Sequence, residues 1–436
     1  MGPGNSSQDT LVEQLLDLAI RSGAEAVEVF QSHSLSRPVF FEANRLKQLE
    51  QAQVEGTALR LWREGCPGLA VAYGPLQPQV LVDRALAISH LNQPETIELT
   101  AGSKIYYPDL GETVEVQQLV TWGQEAIALI RQAYPDILCA AELECDIEMT
   151  RMVNSKGLDC SYTDTTLSFY LTTEWVRGDD FLSVSDGQTQ RGHLNPTALV
   201  EQVLQRLDWA QKNVAPPKGR LPVLFTAKAA DMIWDTVQEA LSGKRVLERS
   251  SPWSDHLGEQ ITAPLLTFSQ QPEAGPFSCP FDDEGTPTQP LVFIQDGILQ
   301  LFYTDRLVGR SLGNGSTGNG FRPSLGSYPT PSLFNLLIQP GERSLLKLIA
   351  SLDEALVVDQ ILGGGAGISG DFSINVDLGY RIQRGEIMGR VKDTMVAGSV
   401  YTALKHLVEL GGDADWNGSC YTPSLIVEGL STTGRG

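Results

Sequence analysis

The stretch from Phe281 to Arg322, FDDEGTPTQPLVFIQDGILQLFYTDRLVGRSLGNGSTGNGFR, constrains this chain more tightly than any other. Two apolar runs, Leu291 to Gln295 and Ile298 to Tyr303, flank the pair Asp296-Gly297. A type I′ turn needs positive φ at both central residues, which Asp and Gly tolerate, so this spacing predicts a β-hairpin. An acidic block, Asp282-Asp283-Glu284, precedes the hairpin and is closed by Gly285, where a backbone conformation that other residues resist is expected. Gly313 to Gly320 follows it and is too rich in glycine to pack as a regular element.

With 436 residues the chain is long enough for more than one domain. The segment Val214 to Arg220, VAPPKGR, reads as the clearest linker. It divides an N-terminal α/β domain (1–213), with a mixed sheet and flanking helices, from a β-rich C-terminal domain (221–436). The expected fold class is α+β. In the first part, Ser7 or Asp9 can cap a helix running to Arg21, which Gly23 ends. Strands are expected at Ala26 to Gln31, Pro38 to Glu42, Gly56 to Trp62 and Leu69 to Tyr73, with Cys66-Pro67-Gly68 as the turn between the last two. Helices are expected at Gln79 to Leu91, Val114 to Ala133 and from Pro196 to about Lys212, and Gln93 to Thr113 reads as a loop. Ile137 to Met152, Leu158 to Tyr162 and Thr166 to Val176 read as strands, with a further turn at Asp186-Gly187. Beyond the linker, Leu221 to Phe225 is a buried strand candidate and Ala227 to Ser242 a helix ended by Gly243. The remainder is mostly strand, with short helices near Leu345 to Ser351 and Val400 to Leu410.

A net charge of −21 repels phosphate backbones and anionic lipids, so nucleic acid and membrane are poor partners. No apolar run reaches the roughly 20 residues that span a bilayer. The first residues, MGPGNSSQDT, lack the basic and apolar regions of a signal peptide, and the expected location is cytoplasmic. The six cysteines include no C-x-x-C pair and read as reduced thiols, with Cys139 and Cys145 on one face of a strand. Two stretches, Gly313 to Gly318 and Gly365 to Gly370, fit G-x-G-x-x-G, but neither leads from a strand into a helix as a dinucleotide site requires. The acidic block lacks calcium-loop spacing and reads as a solvated turn with a structural role. The five histidines, His33, His90, His193, His256 and His406, are too scattered for two to share one helical turn.

Several ordered blocks resemble the TldD/PmbA (TldD/TldE) peptidase family. They are D-D-E-G-T-P-T-Q at 282–289, S-T-G-N-G-F-R at 316–322, Pro331 with Asn335, G-D-F-S at 370–373, A-G-S at 397–399 and P-S-L-I-V-E-G-L at 423–430. The resemblance implies a cytosolic complex of two similar subunits that cleaves unfolded peptides, in which the TldD-like subunit carries zinc on an H-E-x-x-x-H helix. Aligned on Ala240 to Gly243, that motif falls on Trp234 to Glu239 of this chain. Trp234 and Glu239 then replace the histidines and Asp235 the glutamate. An indole N–H only donates, and one Glu with one Asp is too few for a catalytic zinc. The family's cysteine ligand falls near Cys420, where the spacing to Pro423 is too short to carry the role over. The resemblance therefore implies the TldE/PmbA type: no metal and no catalytic residue in this chain, zinc in a TldD-like partner, and an unfolded peptide as substrate, held by strand addition. Asn319, Arg322 and Asn335, beside the glycine loop, are the expected substrate contacts, although structural hydrogen bonding explains them as well. The alternatives are an independent metallopeptidase assembling His256, Glu239 and Cys420, and a non-enzymatic peptide-binding or regulatory protein, such as a homodimer, that needs no TldD-like partner.

Overall fold

The computed structural model describes residues 6–102 and 104–434, with side chains from Thr10 onward. The capping side chains expected at Ser7 and Asp9 lie outside the described residues. The first helix, α1 (Ser6–Arg21), ends at Gly23, whose φ is +95°. Then come β1 (Ala26–Ser36), β2 (Val39–Glu42), β3 (Arg45–Leu49), β4 (Ala52–Arg63), β5 (Cys66–Tyr73) and α2 (Pro78–Ser89). They are followed by β6 (Lys104–Tyr107), α3 (Val116–Ala133), β7 (Leu138–Asn154), β8 (Asp159–Arg177), β9 (Asp180–Gln190) and α4 (Pro196–Trp209). All nine strands share one sheet. The long β7 pairs with β8 along one edge, and with β2 and then β1 along the other.

Three expected turns and loops are corrected here. Cys66-Pro67-Gly68 lies inside β5, paired with β4, and the turn is Glu64-Gly65, both at positive φ. Proline is tolerated there because β5 is an edge strand. Asp186-Gly187 lies within β9, and the β8–β9 hairpin turns at Gly178-Asp179 instead. An Asp-Gly pair is a turn signal only where the chain has to reverse, and here a buried ion network holds Asp186 in an extended strand. The expected loop at 93–113 contains β6, added in parallel to the start of β8.

The second half forms a nine-stranded sheet and a six-stranded sheet. The larger runs from Gly219–Arg220 through Ser431–Gly434, Thr394–Ser399, Asp371–Gln383, Glu354–Leu362, Val223–Phe225 and Leu425–Val427 to Leu407–Leu410, with Glu386–Arg390 paired to Asp371–Gln383. Its central strands read as continuous apolar runs because both faces are buried. Val223, Phe225, Leu356 and Val358 face a core shared with α5 (Asp231–Leu241) and the smaller sheet. Leu224, Ala355 and Val357 face a core shared with α3, α4 and the first sheet. The strand Gly219–Arg220 falls within the expected linker, and this second core continues across it. Gly243 does not close the chain after α5. It opens α6 (Gly243–Leu247), where a Cβ would lie 2.8 Å from the Tyr303 carbonyl. The expected helix at 400–410 stops at Lys405, and Leu407–Leu410 is a strand.

In the smaller sheet, Leu291–Gln295 and Ile298–Leu299 form the expected hairpin. Asp296 and Gly297 sit at φ +50° and +79°, as a type I′ turn requires. The mixture of helices and mixed sheets is an α+β architecture.

Candidate functional site

The acidic block is not a solvated turn. Asp282 is fully buried and Glu284 almost so. Asp282 accepts the backbone N–H groups of Glu284 and Thr286 through Oδ1 (3.0 and 2.8 Å) and that of Gly320 through Oδ2 (2.9 Å). Asp283 Oδ2 accepts the Arg322 N–H at 2.7 Å. The block thus anchors the glycine loop, which follows α7 (Arg306–Leu312) and leads into the short strand Gly320–Phe321. Gly285 has φ +73°, and a Cβ there would lie 2.5 Å from Leu158 of the first half. Burial pushes the Asp282 and Asp283 carboxyls up to about 6. Glu284 is pushed further, to about 8, by burial and by the neighbouring Asp282, against the pull of the Arg306 N–H and charge.

The block docks on the first sheet through buried charge. Glu28 on β1 accepts from Arg60 on β4 at 3.0 Å and from Arg322 at 2.8 Å, so one carboxylate lies between two guanidiniums. The Arg322 guanidinium lies 5.1 Å from the centre of the Phe30 ring. Burial lowers the Arg322 pKa, with Arg60 adding to the effect.

Beside this junction lies a cleft of about 540 Å³. Its walls are β4 (Arg60, Trp62), the extended segment 92–98, α6, the first residues of α7 with Glu284, and the segment 328–331. Trp62 donates its indole N–H to Glu95 at 2.8 Å, and Arg60 stacks 4.8 Å over the Trp62 ring. The volume falls within the roughly 300–1,000 Å³ of small-ligand sites, and a carboxyl of displaced pKa in such a cleft marks a candidate site. Sequence reasoning missed Arg60, Trp62 and Arg306, because nothing local links a strand near residue 60 to a helix start at 306.

The expected substrate contacts are all interior. Asn319 is fully buried and donates to Gln270 Oε1 (2.7 Å) and to the Ser332 carbonyl (2.9 Å). Asn335, also fully buried, donates to the Pro272 and Phe277 carbonyls, both at 2.7 Å. Arg322 is occupied by Glu28 and the Ser327 carbonyl. Each of the three holds a loop.

On α5, Trp234 is fully buried and donates its indole N–H to Thr422 Oγ1 at 2.6 Å. Asp235 is exposed on the helix, and Glu239 Oε2 is held by Arg245 Nε at 2.7 Å. One turn before Asp235, Asp231 is raised to about 7 by burial and by Asp235, while Asn417 donates to its Oδ2. The Cys420 thiol is pushed well above its usual range by burial, Asp231 and Asp235. His256 pairs with Glu259 at 2.7 Å in a surface loop. The assembly of His256, Glu239 and Cys420 is therefore not formed. Among the described residues no group of three or more His, Cys, Asp or Glu is placed to hold a metal ion. A zinc ion needs lone pairs, and these positions offer a donor-only indole, a carboxylate committed to an arginine and a protonated thiol, so they do not fit one.

Residues 218–434 match the family model of the PmbA/TldA metallopeptidase C-terminal domain. The chain belongs to the PmbA/TldD family. A metalloprotease TldD homologue of Haemophilus influenzae is 34% identical over 225 residues, covering 51% of this chain and 46% of the relative. A metalloprotease PmbA homologue of the same organism is 28% identical over 219 residues, covering 49% of this chain and 46% of the relative. The chain thus spans a little under half the length of these two family members. The crystal structure of TldE from Thermococcus kodakarensis superposes with a TM-score of 0.87 at 22% identity, covering 97% of this chain and all of that one. That likeness extends the shared PmbA/TldD fold to the N-terminal half.

Proposed function

We propose that this protein is a non-catalytic, TldE/PmbA-type subunit that completes a metallopeptidase acting on unfolded peptides, with the zinc held by a TldD-type partner. One observation carries the reading. Trp234 stands where the resemblance places the first histidine, is fully buried, and has given its only polar hydrogen to Thr422. Reverting that position to a ligand would require emptying a packed interior. Glu239, at the second histidine position, is tied to Arg245. In this reading the chain shapes the substrate channel and steadies the partner, while the peptide backbone is held at a sheet edge. A cytoplasmic setting goes with it; no helix among the described residues is long and apolar enough to cross a membrane.

The test uses the full chain, purified without chelator, alone and after mixing with a TldD-type paralogue bearing H-E-x-x-x-H. Alone, it should carry well under one zinc per chain by elemental analysis and show no peptidase activity. Mixed, the two should co-elute on gel filtration and cleave an unfolded peptide in a chelator-sensitive way. Stoichiometric zinc and chelator-sensitive cleavage by the chain alone would overturn the proposal. Failure to associate with the paralogue would remove the subunit role.

A further inference from the structure

We propose that the cleft between β4, α6 and α7 binds the C-terminal carboxylate of a short peptide, with Arg306 contacting the carboxylate and Glu284 donating a hydrogen bond to it. Taking the ligand to be a peptide rests on the peptidase-subunit reading, whereas the carboxylate chemistry stands on the geometry.

Arg306 is a cation held by neutral groups. Its guanidinium donates to the Glu98 carbonyl (2.9 Å), Thr286 Oγ1 (3.0 Å) and Thr100 Oγ1. No carboxylate lies within salt-bridge distance of it among the described residues. The other acids of the cleft are committed elsewhere: Glu98 to Arg310, Glu95 to the Trp62 indole, Glu248 to Arg245, and Asp305 to the first turn of α7. Glu284 is more than nine-tenths buried, its Oε2 accepts the Arg306 N–H at 2.9 Å, and its Oε1 has no hydrogen-bond partner among the described residues. Glu284 and Arg306 both line the cleft.

A buried carboxyl that stays protonated near neutral pH is a hydrogen-bond donor. The charges facing Glu284 are Asp282 on its own loop, Asp305 and Arg306 at the start of α7, Arg60 on β4 and Arg322 after the glycine loop. In the acid form it lets a carboxylate approach Arg306 without repulsion. Once ionised it opposes that approach, so an anionic ligand binds less well as pH rises through about 8. Trp62, Leu247, Leu307 and Pro329 supply apolar wall for the residues preceding the carboxylate.

The test is isothermal titration of the full chain with trialanine, trialanine amide and propionate at pH 6.5 and pH 9. Trialanine should bind, and about tenfold more weakly at pH 9, where about one-tenth of a group titrating near 8 retains its proton. The amide should bind at least tenfold more weakly than the acid at pH 6.5. Arg306→Gln should lose binding tenfold or more. Glu284→Gln, a neutral isostere that fits the same space, should bind trialanine equally at both pH values. Equal binding of acid and amide, a pH-independent affinity of the unaltered chain, or no binding at millimolar concentration would each overturn the proposal. Propionate binding as tightly as trialanine would overturn the peptide assignment. These titrations involve neither zinc nor the paralogue, so their failure leaves the subunit test standing, and failure of that test leaves the carboxylate result standing.

Discussion

At the scale of single residues, the centre of this protein is governed by what burial does to polar groups. Glu284 titrates near 8 in the folded chain, against 4.5 for an ordinary glutamate. Its acid form therefore contributes stability that is fully present below about 4.5 and lost as pH rises through about 8. Glu284→Gln should leave stability little changed at pH 4.5 and raise it by a few kcal/mol at pH 9, read from urea denaturation at the two pH values. A variant destabilised equally at both would show that the carboxyl is held ionised. Asn335 has a different task. At φ +46° it adopts a left-handed conformation that Asn tolerates, and its amide ties down two carbonyls. Asn335→Ala should cost about 2–4 kcal/mol, because both carbonyls lose a buried partner. Asn335→Gly, which relieves the backbone strain, should recover only a small part of that loss.

At the scale of elements, α5 and the 291–299 hairpin show how one segment can carry a legible pattern and a hidden role. The hairpin turn is specified locally, yet it also packs tightly: a Cβ on Gly297 would lie 2.6 Å from the Thr262 and Ala263 carbonyls. Gly297→Ala should destabilise by more than about 2 kcal/mol, beyond the cost of positive φ alone, as measured by the midpoint of urea unfolding. On α5 the indole of Trp234 is a structural beam, not a vacant ligand position. Trp234→Phe keeps most of the apolar contact and removes the bond to Thr422, so a loss of about 1–2 kcal/mol is expected. A much larger loss would mean that packing of the larger ring, not the hydrogen bond, sets the residue there.

At the scale of the whole molecule, the two halves are bound by ions as well as by a shared core. Arg206 on α4 reaches Asp186 on β9 and, at 2.9 Å, Asp359 in the large C-terminal sheet. Both aspartates are almost wholly buried, and Lys228 completes the group on Asp186 at 2.9 Å. Removing one member of such a network leaves charge stranded in the interior, which costs about 3–5 kcal/mol. Arg206→Met should lose about that much, with near- and far-ultraviolet circular dichroism still falling in one coincident urea transition because the core is continuous across both halves. Separate transitions would show that the network, not the core, couples them.

Local chemistry alone determined much of this architecture. The Asp296-Gly297 turn, the glycine stop after α1, the proline start of α4 and the strand segments buried on both faces at 223–225 and 355–358 follow from φ preferences and apolar runs within a few residues of one another. The reading of Trp234, Asp235 and Glu239 as a poor zinc set came instead from the family resemblance, which places the metal motif on these residues, joined to the fact that an indole N–H only donates. Tertiary structure alone decided which polar residues are spent. Asp282, Asp283 and Glu284 look like a solvated turn until Gly320, Arg322 and Arg306 arrive from a distant part of the chain to cap them. Asp186-Gly187 looks like a turn until Arg206 and Lys228 hold it in a strand. The cleft exists only because β4 is brought against α7, some 240 residues later. A turn or a helix end is fixed by the dihedral limits of a few neighbouring residues, whereas the protonation and partners of a buried carboxyl depend on groups that only folding brings together.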